Sequence, residues 1–157
     1  MKLTDFVIRK AIVPSLSASD RNGVIREMVQ ALAAGGALPK DDAETIAKAV
    51  IQRENQGSTG FGKGVAVPHV KHDSVPRIMA AVGRSVAGID FAALDRAPVY
   101  TVVVLLSPPN NPDEHLQAME NIFRHLQRDN FRRFLRQAET SDAVWDLIEE
   151  ADQLPTG

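Results

Sequence analysis

The run from Val99 to Leu106 is apolar at every position except Thr101, and it limits what this chain can become more than any other segment. A strand that alternates apolar and polar residues can leave one face in water, whereas one that is apolar on both faces must be covered on both. The run is also far shorter than the ~20 residues needed to cross a bilayer. It therefore predicts a central strand in a sheet layered between helices, and no direct membrane insertion. At 157 residues the chain has the length of one domain, which on folding buries roughly 70% of the surface its unfolded form exposes. Residues 1–157 are accordingly read as a single domain with no linker, repeat or low-complexity stretch.

Helical periodicity appears on either side of that run. Val24, Ile25, Met28, Val29 and Leu32 recur at helical spacing after Ser19 and Asp20, either of which can cap, and Gly35-Gly36 ends the element. Asp41 with Glu44 resembles a capping box ahead of a second stripe, Ala43, Ile46, Ala47 and Val50, which runs toward Arg53-Glu54. Short extended pieces are predicted around Ile12 and Val13, at Val65-Ala66-Val67 and at Ile78 to Val82. Turns are predicted at Gly88-Ile89-Asp90 and at Asp95 to Pro98. After Pro108-Pro109-Asn110-Asn111-Pro112, Asp113 is the expected cap of a helix with His115, Met119, Ile122 and Leu126 on its inner stripe. Asp129 and Thr140 or Ser141 are expected to cap two more short helices.

Composition removes several chemistries. There is no cysteine, so disulfides, thiolate catalysis and cysteine-held metal are excluded. Eighteen basic residues against twenty acidic ones give a net charge of -2, which offers no electrostatic footprint for nucleic acid. The opening residues mix charges through their apolar positions, unlike a secretory signal, so a cytoplasmic location is expected.

The glycine-rich segment Gly57-Ser58-Thr59-Gly60-Phe61-Gly62-Lys63-Gly64 reads as a loop and partly fits the nucleotide phosphate loop G-x-x-x-x-G-K. Gly64 stands where a hydroxyl would hold magnesium, and the segment follows a helix and precedes a strand, the reverse of that motif. Nucleotide hydrolysis is therefore not expected.

Four histidines remain as titratable nucleophiles. Pro68 cannot donate to a ladder and is expected to end the strand before it, which leaves His69 at the strand mouth. An imidazole with one nitrogen fixed by a hydrogen bond and the other free can attack phosphorus. His115 lies in the first turn of its helix, where amides and the dipole favour an anion. Arg53 carries a planar donor fork suited to phosphate oxygens. Ser58 and Thr59 can add donors from the glycine-rich segment. Such a set supports phosphoryl transfer without metal or cofactor. His72, His125 and Lys63 read as structural or solvated. A rival arrangement, a zinc site, would draw on His69, His72, Asp73 and His115.

The residues Arg53-Glu54, Ser58-Thr59 and Phe61-Gly62-Lys63-Gly64-Val65-Ala66-Val67-Pro68-His69 resemble the signature of the fructose/mannitol-type enzyme IIA of the bacterial sugar phosphotransferase system, including its nitrogen-regulatory branch. The resemblance continues through Gly88-Ile89-Asp90-Phe91, Pro98-Val99 and His115-Leu116. It implies a three-layer α/β/α sandwich with a mixed sheet. It implies further that His69 accepts phosphate from the carrier HPr or a regulatory counterpart, beside His115 and Arg53. The next partner would be a IIB domain or, in a regulatory member, a target protein bound according to phosphorylation state. Val70 departs from the family pattern, which has a small residue, usually glycine, after the histidine. A β-branched side chain there narrows the approach of a donor, so Val70→Gly is expected to speed phosphorylation.

Overall fold

The computed structural model describes residues 1–154. A short helix α1 (Leu3–Phe6) leads into strand β1 (Val7–Val13), helix α2 (Arg21–Ala34), a single 3₁₀ turn (Lys40–Asp42) and helix α3 (Ala43–Gln56). Five strands follow: β2 (Gly60–Gly62), β3 (Val65–Ala66), β4 (His69–Lys71), β5 (Met79–Ile89) and β6 (Val99–Ser107). Helices α4 (Pro112–Leu126), α5 (Asp129–Gln137) and α6 (Ser141–Asp152) complete the described residues. The strands form one mixed sheet in the order β1-β5-β6-β3-β2, and β4 also pairs with β6. Strand β6 runs antiparallel to β5 and parallel to β3 and β4. Helices cover both faces, giving the three-layer α/β/α sandwich with a mixed sheet that the sequence implied.

Strand β6 occupies the centre for the reason its composition gave. Successive side chains of a strand point to opposite faces, and here they divide cleanly between two cores. Val102, Val104 and Leu106 pack with α2 and α3, while Val103 and Leu105 pack with α4, α5 and α6. Every residue of β6 except Tyr100 is buried. A fully buried leucine or valine contributes about 1.5–3 kcal/mol relative to exposure, so this one strand ties both halves of the molecule to the sheet.

Several local expectations are corrected. The glycine-rich segment is not a plain loop: β2 pairs antiparallel with β3 across Lys63 and Gly64, whose φ values are 61° and 77°. Two successive left-handed residues are what a tight two-residue hairpin requires. Pro68 does not end the strand region. Its carbonyl accepts from Leu105 N at 2.9 Å, and β4 resumes pairing with β6 directly after it. The missing proline donor interrupts the ladder without ending it.

Strand β5 runs through the turn expected at Gly88-Ile89-Asp90. Its register with β6 shifts between Arg84 and Ile89, and Gly88 has φ 91°. A Cβ at Gly88 would sit 2.8 Å from Pro98 Cβ, so the irregularity needs glycine. The Asp41–Glu44 capping box does not form, because the 3₁₀ turn precedes α3 and the cap residue Asp42 makes no side-chain cap bond. Asp20 holds the cap position of α2, also without a side-chain bond. Asn111, rather than Asp113, caps α4, with its side chain accepting from Glu114 N and Pro112 at the first helical position. Arg128 stands at the cap position of α5, so the expected cap Asp129 falls inside the helix. Thr140 caps α6 as expected, accepting from Ala143 N.

Candidate functional site

Two neighbours of β6 bring the histidines together. Strand β4 places His69 opposite Leu105, and the chain leaving the C-terminal end of β6 turns at the prolines and enters α4, whose first turn carries His115. The two imidazoles face each other with centroids 5.7 Å apart and planes inclined by 50°. Both line an open groove that continues over Leu116, Met119 and Phe123 of α4.

The hydrogen bonds fix which ring nitrogen is free. His69 Nδ1 lies 2.8 Å from Val67 O. A carbonyl can only accept, so Nδ1 carries the proton and Nε2 keeps its lone pair. His115 Nδ1 lies 2.5 Å from the hydroxyl of Ser107, a residue that is 1% exposed. This bond ties the His115 ring to the end of β6 through Nδ1, and a hydroxyl can fill either role in it. The His69 ring thus offers a lone pair at Nε2, with the His115 ring beside it.

Electrostatics keep both rings neutral. Burial lowers the pKa of His69 below its ordinary value; the charges of Arg53 and Lys71 act in the same direction, while the Val67 carbonyl and Glu54 oppose them. His115 is pushed down to about 4, first by burial and then by the proximity of His69 and Lys71. A neutral imidazole at physiological pH is a nucleophile that needs no separate base.

Arg53, in the last turn of α3, donates to Gly57 O at 2.9 Å, which closes the end of that helix. Its charge is felt at His69. Ser58 and Thr59 occupy this neighbourhood, but their donors are already committed. Ser58 Oγ donates to Phe91 O at 2.6 Å, and Thr59 gives both its amide and its hydroxyl to the Glu54 carboxylate, each at 2.7 Å. In this conformation both hydroxyls and the Thr59 amide shape the β2 entry.

Glu54 and Ser107 were not singled out from the sequence. Glu54 is only 2% exposed and acts at His69 through its charge. The available signal was its position four residues after Val50 on the buried stripe of α3, where a carboxylate is out of place unless partnered. Ser107 gave little signal, because a serine ending an apolar strand looks like a boundary.

The zinc arrangement is corrected as well. Among the described residues no three histidine, cysteine or carboxylate side chains are grouped to hold a metal ion. His72 Nδ1 is occupied by the amide of Ser74 at 3.0 Å. His125, in the last turn of α4, accepts from Arg128 and belongs to the second core, as expected of a structural histidine. Val70 lies on the face of β4 opposite His69, packed against the core under α2 and α3, so it does not stand in front of the ring.

The sequence model of the family described as phosphoenolpyruvate-dependent sugar phosphotransferase system, EIIA 2, matches residues 6–151, and the chain belongs to that family. It is 34% identical over 153 residues to the fructose-specific EIIABC component of the phosphotransferase system of Bacillus subtilis, covering 98% of this chain and 24% of that protein. It is 40% identical over 111 residues to a nitrogen regulatory protein of Pseudomonas aeruginosa, covering 71% of this chain and 72% of that protein. The solved nitrogen regulatory protein IIA-Ntr of Neisseria meningitidis superposes with a TM-score of 0.81 at 26% identity, over 92% of this chain and 97% of that one. The IIA subunit in the complex of enzyme IIA mannitol with phosphorylated IIB mannitol of Escherichia coli shares the fold, with a TM-score of 0.74 at 21% identity, over 90% and 95% of the two chains. No helix among the described residues is long and apolar enough to cross a membrane.

Two charge neighbours pull the His69 pKa in opposite directions. Arg53→Gln removes a lowering influence and is expected to raise it, whereas Glu54→Gln removes a raising one and is expected to lower it further. Histidine ring resonances followed against pH read both shifts; two shifts of the same sign would contradict the arrangement. For Val70→Gly the facing of the side chain replaces the earlier expectation. An unchanged phosphorylation rate with a stability loss of roughly 1–2 kcal/mol is expected, measured by a timed phosphorylation assay and urea unfolding, and a faster rate would return the valine to the donor's path.

Proposed function

We propose that this chain, as one EIIA domain spanning residues 1–157, is a reversible phosphoryl carrier that accepts phosphate on His69 Nε2. The observation that carries this reading is the hydrogen bond from His69 Nδ1 to Val67 O, which leaves a single neutral lone pair beside a second ring. The natural donor is an HPr-like carrier bearing phosphohistidine, and the acceptor is a IIB domain or a regulatory target protein. Its place is the cytoplasm. No bound cofactor is needed for these steps.

The transfer balances simply. The Nε2 lone pair forms the new P–N bond while the donor's P–N bond breaks and its electron pair returns to the donor nitrogen. No proton has to leave His69, because Nδ1 keeps its own. The phosphorylated ring becomes an imidazolium whose N–H is held by the Val67 carbonyl, and a cationic ring leaves readily when the group moves on. Arg53 offsets the charge of the transferring group, and His115 Nε2–H donates to one of its oxygens. A loose transition state asks mainly for this positioning. The apolar strip of Leu116, Met119 and Phe123 beside the rings offers partners a surface on which to seat their own reacting group.

A second reading, in which phosphorylation controls association with a regulatory target, is favoured by the similarity to nitrogen regulatory proteins. The two share the same chemistry at His69 and differ in what happens next. Incubation with phosphorylated HPr is expected to give an acid-labile phosphate on the wild-type chain and none on His69→Ala. His115→Ala and Arg53→Gln are expected to slow labelling by about 10–1000-fold, the scale for removing one group that stabilises transferring charge. Labelling that persists in His69→Ala would refute the carrier reading.

A further inference from the structure

A second groove, of about 500 Å³, lies between α5 and the β2–β3 hairpin. It opens beside Tyr100 and Thr101, whereas His69 pairs with Leu105. At about 3.3 Å per residue, four steps along β6 separate the two places by roughly 13 Å. Arg132, Arg133 and Arg136 reach it from α5, and Lys63 reaches it from the hairpin turn. This clustering is unexpected in a chain whose net charge is -2.

The two carboxylates lining the groove are both engaged. Asp95 accepts from the amides of Lys63 and Ala97, each at 3.0 Å, and Asp129 is paired with Arg132. Arg132 also donates to Leu126 O, so it belongs to the wall. Arg136 is different: its carbonyl accepts from Arg84 at 2.8 Å, but its guanidinium sits 3.5 Å from the centre of the Tyr100 ring and makes no hydrogen bond among the described residues. A guanidinium that close to a ring stacks on its face and keeps its N–H donors for other partners. The Lys63 side chain has no hydrogen-bond or ion-pair partner among the described residues, and Arg133, which lies 5.3 Å from the centre of the Phe134 ring, makes one long hydrogen bond of 3.4 Å to Asn130.

We propose that this groove is a second binding site, separate from the histidine pair, for a small organic anion carrying two or more phosphate charges. Arg133 and Arg136 would supply planar forks for phosphate oxygens and Lys63 a point charge on the opposite wall. The concave shape and volume fall in the range of small-ligand sites, about 300–1,000 Å³, rather than of a flat protein-docking face. The motif that looked like a phosphate loop thus contributes its lysine to an anion site, though not by the geometry of a nucleotide hydrolase. The proposal does not rest on phosphoryl transfer at His69.

The test uses the unphosphorylated full chain and sodium pyrophosphate as the probe, with sodium chloride matched for ionic strength. Amide and arginine side-chain N–H resonances are expected to shift saturably at Lys63, Arg133 and Arg136. Arg133→Gln and Arg136→Gln, checked for folding by circular dichroism, are each expected to weaken binding about tenfold. Should either fail to fold, Lys63→Gln gives the same comparison from the other wall. Four outcomes would overturn the proposal: no saturable shift beyond the chloride control, shifts confined to Arg53, His69 and His115, unchanged affinity in the variants, or tighter binding of an aspartate-rich peptide than of pyrophosphate.

Discussion

The backbone ladder around β6 is the constraint on which everything else depends. The strand is paired on one side with β5 and on the other with β3 and then β4. Because its side chains are apolar on both faces, it can lie only where helices cover it from both directions. That location then determines the site. Strand β4 is aligned along its C-terminal half and delivers His69, and the chain leaving its end delivers His115 one helical turn into α4. The two rings meet because they are positioned by the same strand.

Within the site, one backbone carbonyl sets the tautomer of His69. Val67 O holds the proton of His69 on Nδ1, and burial keeps the ring neutral, so Nε2 presents its lone pair without proton removal. Burial, Arg53 and Lys71 disfavour a cationic ring, the carbonyl and Glu54 favour it, and the net effect lowers the pKa. Ser107 anchors His115 by holding its Nδ1.

The large features were legible in the sequence and the fine ones were not. The Val99–Leu106 run announced a covered central strand, and the stripes beginning at Val24 and Ala43 announced two helices, whereas Pro68 suggested a strand end at His69 where pairing with β6 in fact resumes. What escaped depended on pairing partners distant in sequence. The β2–β3 hairpin could not be seen because glycines that normally break structure here supply the left-handed turn. The extension of β5 to Ile89 depends on β6 continuing to pair across an irregularity. Asn111 and Asp113 are equally good caps by type, and only the helix start decided between them. Glu54 was hidden because a carboxylate on a helix normally faces water, and its burial is explained only by Thr59 folding back onto it.

The position of phosphorus on the His69 ring tests the account most directly. Phosphorylated chain labelled with nitrogen-15 reports, through phosphorus–nitrogen coupling, which ring nitrogen bears the group. The expected result is attachment at Nε2, with Nδ1 still protonated against the Val67 carbonyl. Attachment at Nδ1, or on any residue other than His69, would contradict it.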